Sequence, residues 1–234
     1  MQKKVHKLII FGNEDFADIA YEYFTHDSDY EVVAFTVDAA YRKEEIKFGL
    51  PVVAFEELQN KFPPTTHDVF AAIVYARLNR LREEVCARVK QAGYGLASYV
   101  SSRAFVWRNV KMDEHCFIFE DNTIQPFVQI GANVVMWSGN HIGHHSRIGS
   151  HCFITSHVVV SGWCDIGDHC FVGVNTTLAN NTSIGGGSWV GHGACLSGEV
   201  PEKSLVKAVS SEISQLNEAV LFRTLSRSSK ARNR

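Results

Sequence analysis

Reading every sixth residue from Val100 gives Val100, Val106, Met112, Ile118, Ile124, Ile130, Met136, Ile142, Ile148, Ile154, Val160, Ile166, Val172, Leu178, Ile184, Val190 and Leu196, all aliphatic or methionine. An amphipathic helix repeats near 3.6 residues and a half-buried strand at 2. A strict period of six belongs to a hexapeptide β-helix, with three hexads per triangular coil and each aliphatic stacked on the one 18 residues away. Ile142, Val160, Leu178 and Leu196 then form one internal column. Crossovers between parallel strands are normally right-handed, and spacing alone does not fix the hand of this coil.

The other hexad positions agree. The residue after each aliphatic is often glycine or small, as at Gly131, Gly143, Gly149, Gly167 and Gly173, which suits a tight corner. Four places after the aliphatic stand Cys116, Ser146, Cys152, Cys164, Cys170, Thr176 and Ser188, small enough for a cramped second inward position. Packing thereby accounts for four of the six cysteines, and none is expected in a disulfide, in the reduced state usual for a cytoplasmic protein.

Ahead of the repeat, VHKLIIFG (5–12), EVVAFTVD (31–38) and DVFAAIVY (68–75) read as strands, with helices over 15–24 and 78–92 and a short one in FEELQNKF. GLASYV (95–100) reads as a strand entering the first coil. Alternating strands and helices predict an α/β domain with a parallel sheet. The expected organisation is a Rossmann-like domain over 1–98, a β-helix over 99–205, and a capping helix with a basic, solvated tail over 206–234. The first turn, GNEDFAD, has one glycine, Gly12, where a dinucleotide fingerprint has three, so an NAD site is not expected. Asp38 ends the second strand, where an acid either holds a ribose hydroxyl or serves as a turn residue. The net charge is −2, which offers no global field for nucleic acid, and no apolar run approaches a membrane span.

Residues 139–162 hold His141, His144, His145, His151 and His157, five of eleven histidines. There is no HExxH, no two histidines lie five apart, and the cysteines occupy inward positions, so no metal is expected. His145, His151, His157 and His169 stand three places after an aliphatic, a position that normally faces solvent, and His151 and His169 read as ordinary surface residues. His144 and His192 stand two places after, and His141 one place before.

A short Rossmann-like domain followed by hexads carrying IGHHSRIG (142–149), SHV (156–158), FVGVN (171–175) and VGHGA (190–194) resembles the hexapeptide sugar acetyltransferases. These include the sialic acid O-acetyltransferase type and the N-acetyltransferases of nucleotide-linked bacillosamine and perosamine. The resemblance implies a left-handed coil, a homotrimer, and acetyl-CoA between neighbouring subunits. It implies that His144 is the general base, with His145 where that family has a glutamate, so that either His145 orients His144 or the amine loses its proton with little help. It implies cofactor contacts at His157, Val174 and His192, and a nucleotide site at Gly12, Asn13, Glu14, Asp15, Asp38 and Asn79. His141 adjoins the base and is kept as a third catalytic candidate. The activity so implied is acetyl-CoA-dependent N-acetylation of a nucleotide-linked amino sugar by direct attack. O-acetylation or acyl transfer to a non-nucleotide acceptor is one alternative, and a non-catalytic trimeric scaffold is another.

Overall fold

The structure is a computed structural model that describes residues 6–208, 210 and 211. The capping helix and basic tail expected within 206–234 lie almost wholly outside the described residues.

The N-terminal sheet contains β1 (His6–Phe11), β2 (Tyr30–Val37), β3 (Ile46–Lys47), β4 (Leu50–Ala54), β5 (His67–Ala71) and β6 (Gly95–Leu96) in the order β3-β4-β2-β1-β5-β6. All neighbours are parallel except β3 with β4. Helices α1 (Asp15–His26), α2 (Leu58–Lys61) and α3 (Arg80–Gln91) connect them. Sequence reading missed β4, whose apolar run is cut short by Pro51 at its edge. The expected strand over 68–75 stops at Ala71, because the carbonyls of Ile73 and Val74 turn to the Arg82 guanidinium. GLASYV divides into β6 of the sheet and the first rung of the coil.

From Tyr99 onward the chain winds as a left-handed parallel β-helix. Each hexad contributes a two-residue strand whose second residue is one of the periodic aliphatics, and each strand pairs with those 18 residues away. Face one starts at Tyr99–Val100 and has seven rungs; face two (from Phe105–Val106) and face three (from Lys111–Met112) have six each. Ile118, Ile142, Ile154, Val160 and Leu178 are fully buried, each contributing about 1.5–3 kcal/mol. After Leu196 the spacing shortens by two, and Glu199–Val200 and Leu205–Val206 close the last coil.

The glycines after the aliphatics are needed for close approach between coils. A Cβ on Gly143 would lie 2.6 Å from the Gly162 nitrogen and 2.7 Å from the Ser161 oxygen, on the next coil. Positive φ falls two residues later. His115, Asp121, Phe127, Asn133, His145, His151, His157, Trp163, His169, Asn175 and Asn181 all have φ between 57° and 67°. Asparagine, aspartate and histidine tolerate this left-handed region better than most residues, so the corner geometry itself draws histidines to the coil.

The three faces differ outside. On face one, Tyr99, Phe117, Val135, Phe153 and Phe171 are buried against Phe16, Phe24 and Phe70 of the N-terminal domain, making one core across both domains. Face three shows Lys111, Gln129, Arg147 and Asp165, the last two paired at 2.9 Å. Face two and the corner after it leave Phe105, Trp107, Phe127, Val159 and Trp163 exposed in the single chain. Among the described residues no helix is long and apolar enough to cross a membrane, and no cysteine is in a disulfide.

Candidate functional site

The carboxyl ends of β1, β2 and β5 open into a cleft of about 550 Å³ lined by Gly12, Asn13, Glu14, Asp15, Asp38, Tyr41, Lys43, Ala72 and Arg88, among others. Gly12 has φ 136°, and a Cβ there would meet the Ala72 carbonyl at 2.9 Å, so its glycine is required on both counts. The acids of the first turn are balanced by lysines: Lys43 lies 3.8 Å from Glu14, and Lys47 lies 2.6 Å from Asp18 while donating to the Asn13 carbonyl at 3.1 Å. Asp38 pairs with both terminal nitrogens of Arg88, which leaves further carboxylate lone pairs for hydroxyl donors. Gly12, Asn13, Glu14 and Asp38 therefore come together as the sequence suggested.

Asn79 does not join them. It is fully buried in the left-handed conformation (φ 65°) before α3, and its Nδ2 donates to the Cys170 carbonyl of the coil at 3.4 Å. Its observed contact is between the domains, away from the cleft.

A second cavity of about 440 Å³ shares Asp15, Phe16 and Val74 with the first and runs along Trp137 and Phe153 to Thr155, Ser156 and Val174. It ends at the corner between faces one and two. In that corner Ser156, Val174 and His192 form one column at 18-residue steps, and His157 the next, with its ring packed over Gly139.

His144 and His145 occupy the next corner, between faces two and three. The His145 ring is sandwiched between Phe127 (4.6 Å between centroids, 23°) and Trp163 (4.2 Å, 12°). Its Nδ1 lies 3.1 Å from Nδ1 of His144, so one ring donates and the other accepts. The His144 ring covers Gly162, and its backbone N–H donates to Gln125 Oε1 at 2.9 Å. His141 stands on the intervening strand of face two. The width of face two thus separates His144 from His157, Val174 and His192 within one chain.

The third corner corrects the surface reading of His151 and His169. Both are packed beneath α3, their side chains 21% and 17% exposed, with rings stacked at 4.8 Å and Glu83 reaching both. The His169 Nε2 to Glu83 Oε2 distance is 2.8 Å, and this hydrogen bond holds the Glu83 carboxyl below its ordinary pKa. In the same corner His115 is fully buried and neutral, its pKa pushed down to about 3 by desolvation and then by the Arg82 charge. Sequence reading missed Arg82, Glu83, His115 and Asn133. The available signal was Arg82 itself, a cation on the same helical face as Val85 and Val89.

No protein-family profile and no curated protein matches the chain. Solved structures do. The acetyltransferase domain of PglB from Neisseria gonorrhoeae is 18% identical, with 86% of this chain and 96% of that chain covered and a TM-score of 0.76. PerB from Caulobacter crescentus, solved in complex with CoA and GDP-perosamine, is 21% identical over 90% of this chain and 98% of that chain, TM-score 0.76. WeeI from Acinetobacter baumannii is 20% identical over 87% and 97%, TM-score 0.57. At these identities the likeness establishes the two-part fold over nearly the whole chain.

Proposed function

We propose that this protein is a cytoplasmic, acetyl-CoA-dependent N-acetyltransferase acting on a nucleotide-linked amino sugar. The observation that carries the reading is the pair of adjoining cavities, which share Asp15, Phe16 and Val74 and lead from the carboxyl ends of the sheet to Ser156 and Val174 on the coil. Sheets of this type bind ligands at those ends. A nucleotide there would place its sugar towards the coil. The similar PerB structure holds both CoA and GDP-perosamine.

The active form in this reading is a homotrimer. Face one is covered by the chain's own domain and face three is polar, whereas Phe105 and Val159 on face two and Phe127 and Trp163 in the corner that bears His144 lie exposed. Burying them against a neighbour would bring His144 of one subunit to the corner bearing His157, Val174 and His192 of the next. Acetyl-CoA, lying between subunits, supplies the activated acyl group as a thioester.

In this reading His144 is the donor of the 3.1 Å contact between the two Nδ1 atoms, so that its unprotonated Nε2 faces the acceptor amine. As the amine nitrogen bonds to the thioester carbon, His144 takes the amine proton. It returns that proton to the sulfur as the carbon–sulfur bond breaks, giving the amide and free CoA. A corner backbone N–H facing the thioester oxygen would stabilise the oxyanion. The buried Cys116 and Cys152 thiols, their pKa values raised chiefly by desolvation, are unsuited to act as nucleophiles.

The test uses the intact chain, since removing residues 1–96 would expose Phe117, Phe153 and Phe171. Acetyl transfer to UDP-, GDP- and dTDP-linked amino sugars should be detected and inhibited by the matching nucleoside diphosphate, with light scattering near three times 26.1 kDa. Activity confined to free sugars, or full activity in a monomer, would overturn the reading.

A further inference from the structure

Arg82 is fully buried, and the acceptors bonded to it are neutral. Its Nε donates to Asn133 Oδ1 at 2.7 Å, and Nη2 donates to the carbonyls of Asn133 (3.0 Å) and Cys152 (3.3 Å) on the coil. Its Nη1 donates to the carbonyls of Ile73 (3.0 Å) and Val74 (3.3 Å), which line the cleft. Desolvation lowers its pKa to about 10, which still leaves it charged at neutral pH. An apolar residue would hold a domain interface without burying a charge, so the guanidinium calls for a role beyond adhesion.

The groups around it have their protons assigned by partners that can only donate. The Ala71 N–H donates to His115 Nε2 at 2.9 Å, so the His115 proton is on Nδ1, which donates to Asn133 Oδ1 at 2.9 Å. Arg82 has no acceptor, so the Asn133 amide is oriented with Oδ1 towards Arg82 and His115. Asn133 Nδ2 therefore donates to His151 Nδ1 at 2.9 Å, and the His151 proton sits on Nε2, turned towards Glu83 Oε1 at 3.6 Å. Glu83, His151 and His169 have ligand atoms within 4.8 Å of one another, a spacing at which a metal must be considered. The His151 Nε2 proton stands where a metal would bind, and the rings of His151 and His169 are nearly parallel (19°), so their lone pairs do not converge.

We infer that Arg82 and Asn133, with His115, are positioning residues that fix the cleft wall at Ala71–Val74 relative to the coil and so set where a bound acceptor sits; this rests on the acceptor site proposed above. The wall's carbonyls and amide are held by the network, and the network is rooted in three successive rungs at His115, Asn133 and His151. The Ala72 carbonyl already stands against Gly12, so a wall that drifts closes or opens the nucleotide turn itself. Misplacement matters because acyl transfer needs the reacting atoms held near contact.

The experiment compares wild type with Asn133→Leu and Asn133→Asp in the full chain. Calorimetry measures GDP, UDP and CoA affinity, kinetics measure acceptor KM and kcat, and hydrogen exchange follows amides 71–74. Asn133→Leu removes three side-chain hydrogen bonds, with Arg82, His115 and His151, and should weaken nucleoside diphosphate binding and raise acceptor KM by at least about tenfold, and speed exchange at 71–74 by a similar factor, since the loss of one buried hydrogen bond alone reaches about that scale. CoA affinity should stay within about twofold, because its proposed contacts lie at other corners. Asn133→Asp keeps the acceptor for Arg82 and should recover most of the loss. If Asn133→Leu does not fold, Asn133→Ser, which retains one hydroxyl, is read in the same way. Wild-type nucleotide affinity and exchange in the folded variant would reduce the network to interface filling and overturn the inference. So would stoichiometric zinc that is lost in His169→Ala. If the wild type binds no nucleotide, the proposed function fails, while the exchange measurement still decides whether the network holds the wall.

Discussion

Replacing His115 by glutamine tests whether the interface between the domains buries a neutral imidazole. In the folded protein its pKa is pushed down from 6.5 to about 3 by burial, with Arg82 and His151 adding to the effect and Asn133 opposing it. Phe70 is stacked on the ring at 4.7 Å, and Cys86 Sγ lies 3.5 Å from Nδ1. Between these two pKa values the unfolded chain binds a proton that the native protein does not. Stability is therefore complete above about pH 6.5 and falls as the pH drops, by about 1.36 kcal/mol per unit. At about pH 5 the loss from this one residue is roughly 2 kcal/mol. Glutamine can accept from the Ala71 N–H and donate to Asn133 without titrating, so its own packing cost is the same at both pH values and cancels. Urea unfolding at pH 7.5 and 5, at one fixed protein concentration, should show wild type losing roughly 2 kcal/mol more than His115→Gln. Equal losses would refute the buried neutral histidine and the proton assignment that runs from it through Asn133 to His151.

His144→Ala should lower turnover by about 100-fold with CoA affinity unchanged by calorimetry, the scale expected for loss of a general base. Trp163→Ala strips one aromatic face from His145 and should reduce kcat by roughly fivefold with acceptor KM retained, since a cation shared onto His145 loses a stabilising ring. Cys152→Ser should cost about 1–3 kcal/mol in unfolding experiments, softened by a hydroxyl bond to the Gly167 carbonyl, and leave an active enzyme; a folded but inactive variant would revive thiol chemistry.

The coil was legible because its period is a direct image of its packing: each aliphatic from Val100 to Leu196 became the inward residue of one rung. The sheet was legible in outline, and the cleft residues Gly12, Asn13, Glu14 and Asp38 followed from where its strands end. The roles of the histidines were less legible, because position in the hexad fixes the backbone and not the neighbour. His145, His151, His157 and His169 share one φ, yet they lie at three different corners, one beneath α3, one between aromatic rings and one facing solvent. Which corner the N-terminal domain covers depends on aromatic outward residues of face one, Phe117, Phe153 and Phe171, that the six-residue count treats as incidental. Asn79 shows the same limit: its Nδ2 donates to the Cys170 carbonyl, 91 residues away, a contact that no local spacing announces.

The corner residue of positive φ makes the coil a ruler with fixed divisions. Each turn offers three seats that accept histidine in place of asparagine or glycine at little steric cost. Seats in one column differ by one strand spacing, about 4.8 Å. A side chain transferred from position 157 to 175, or from 145 to 181 by way of 163, keeps its outward direction and moves by whole divisions. The reach between an imidazole on the coil and a ligand in the proposed sheet-domain site can therefore be altered in steps, without rebuilding either part. Asn175 and Asn181 are vacant marks on that scale, and a histidine placed at either would measure how far along the coil the chemistry can be carried.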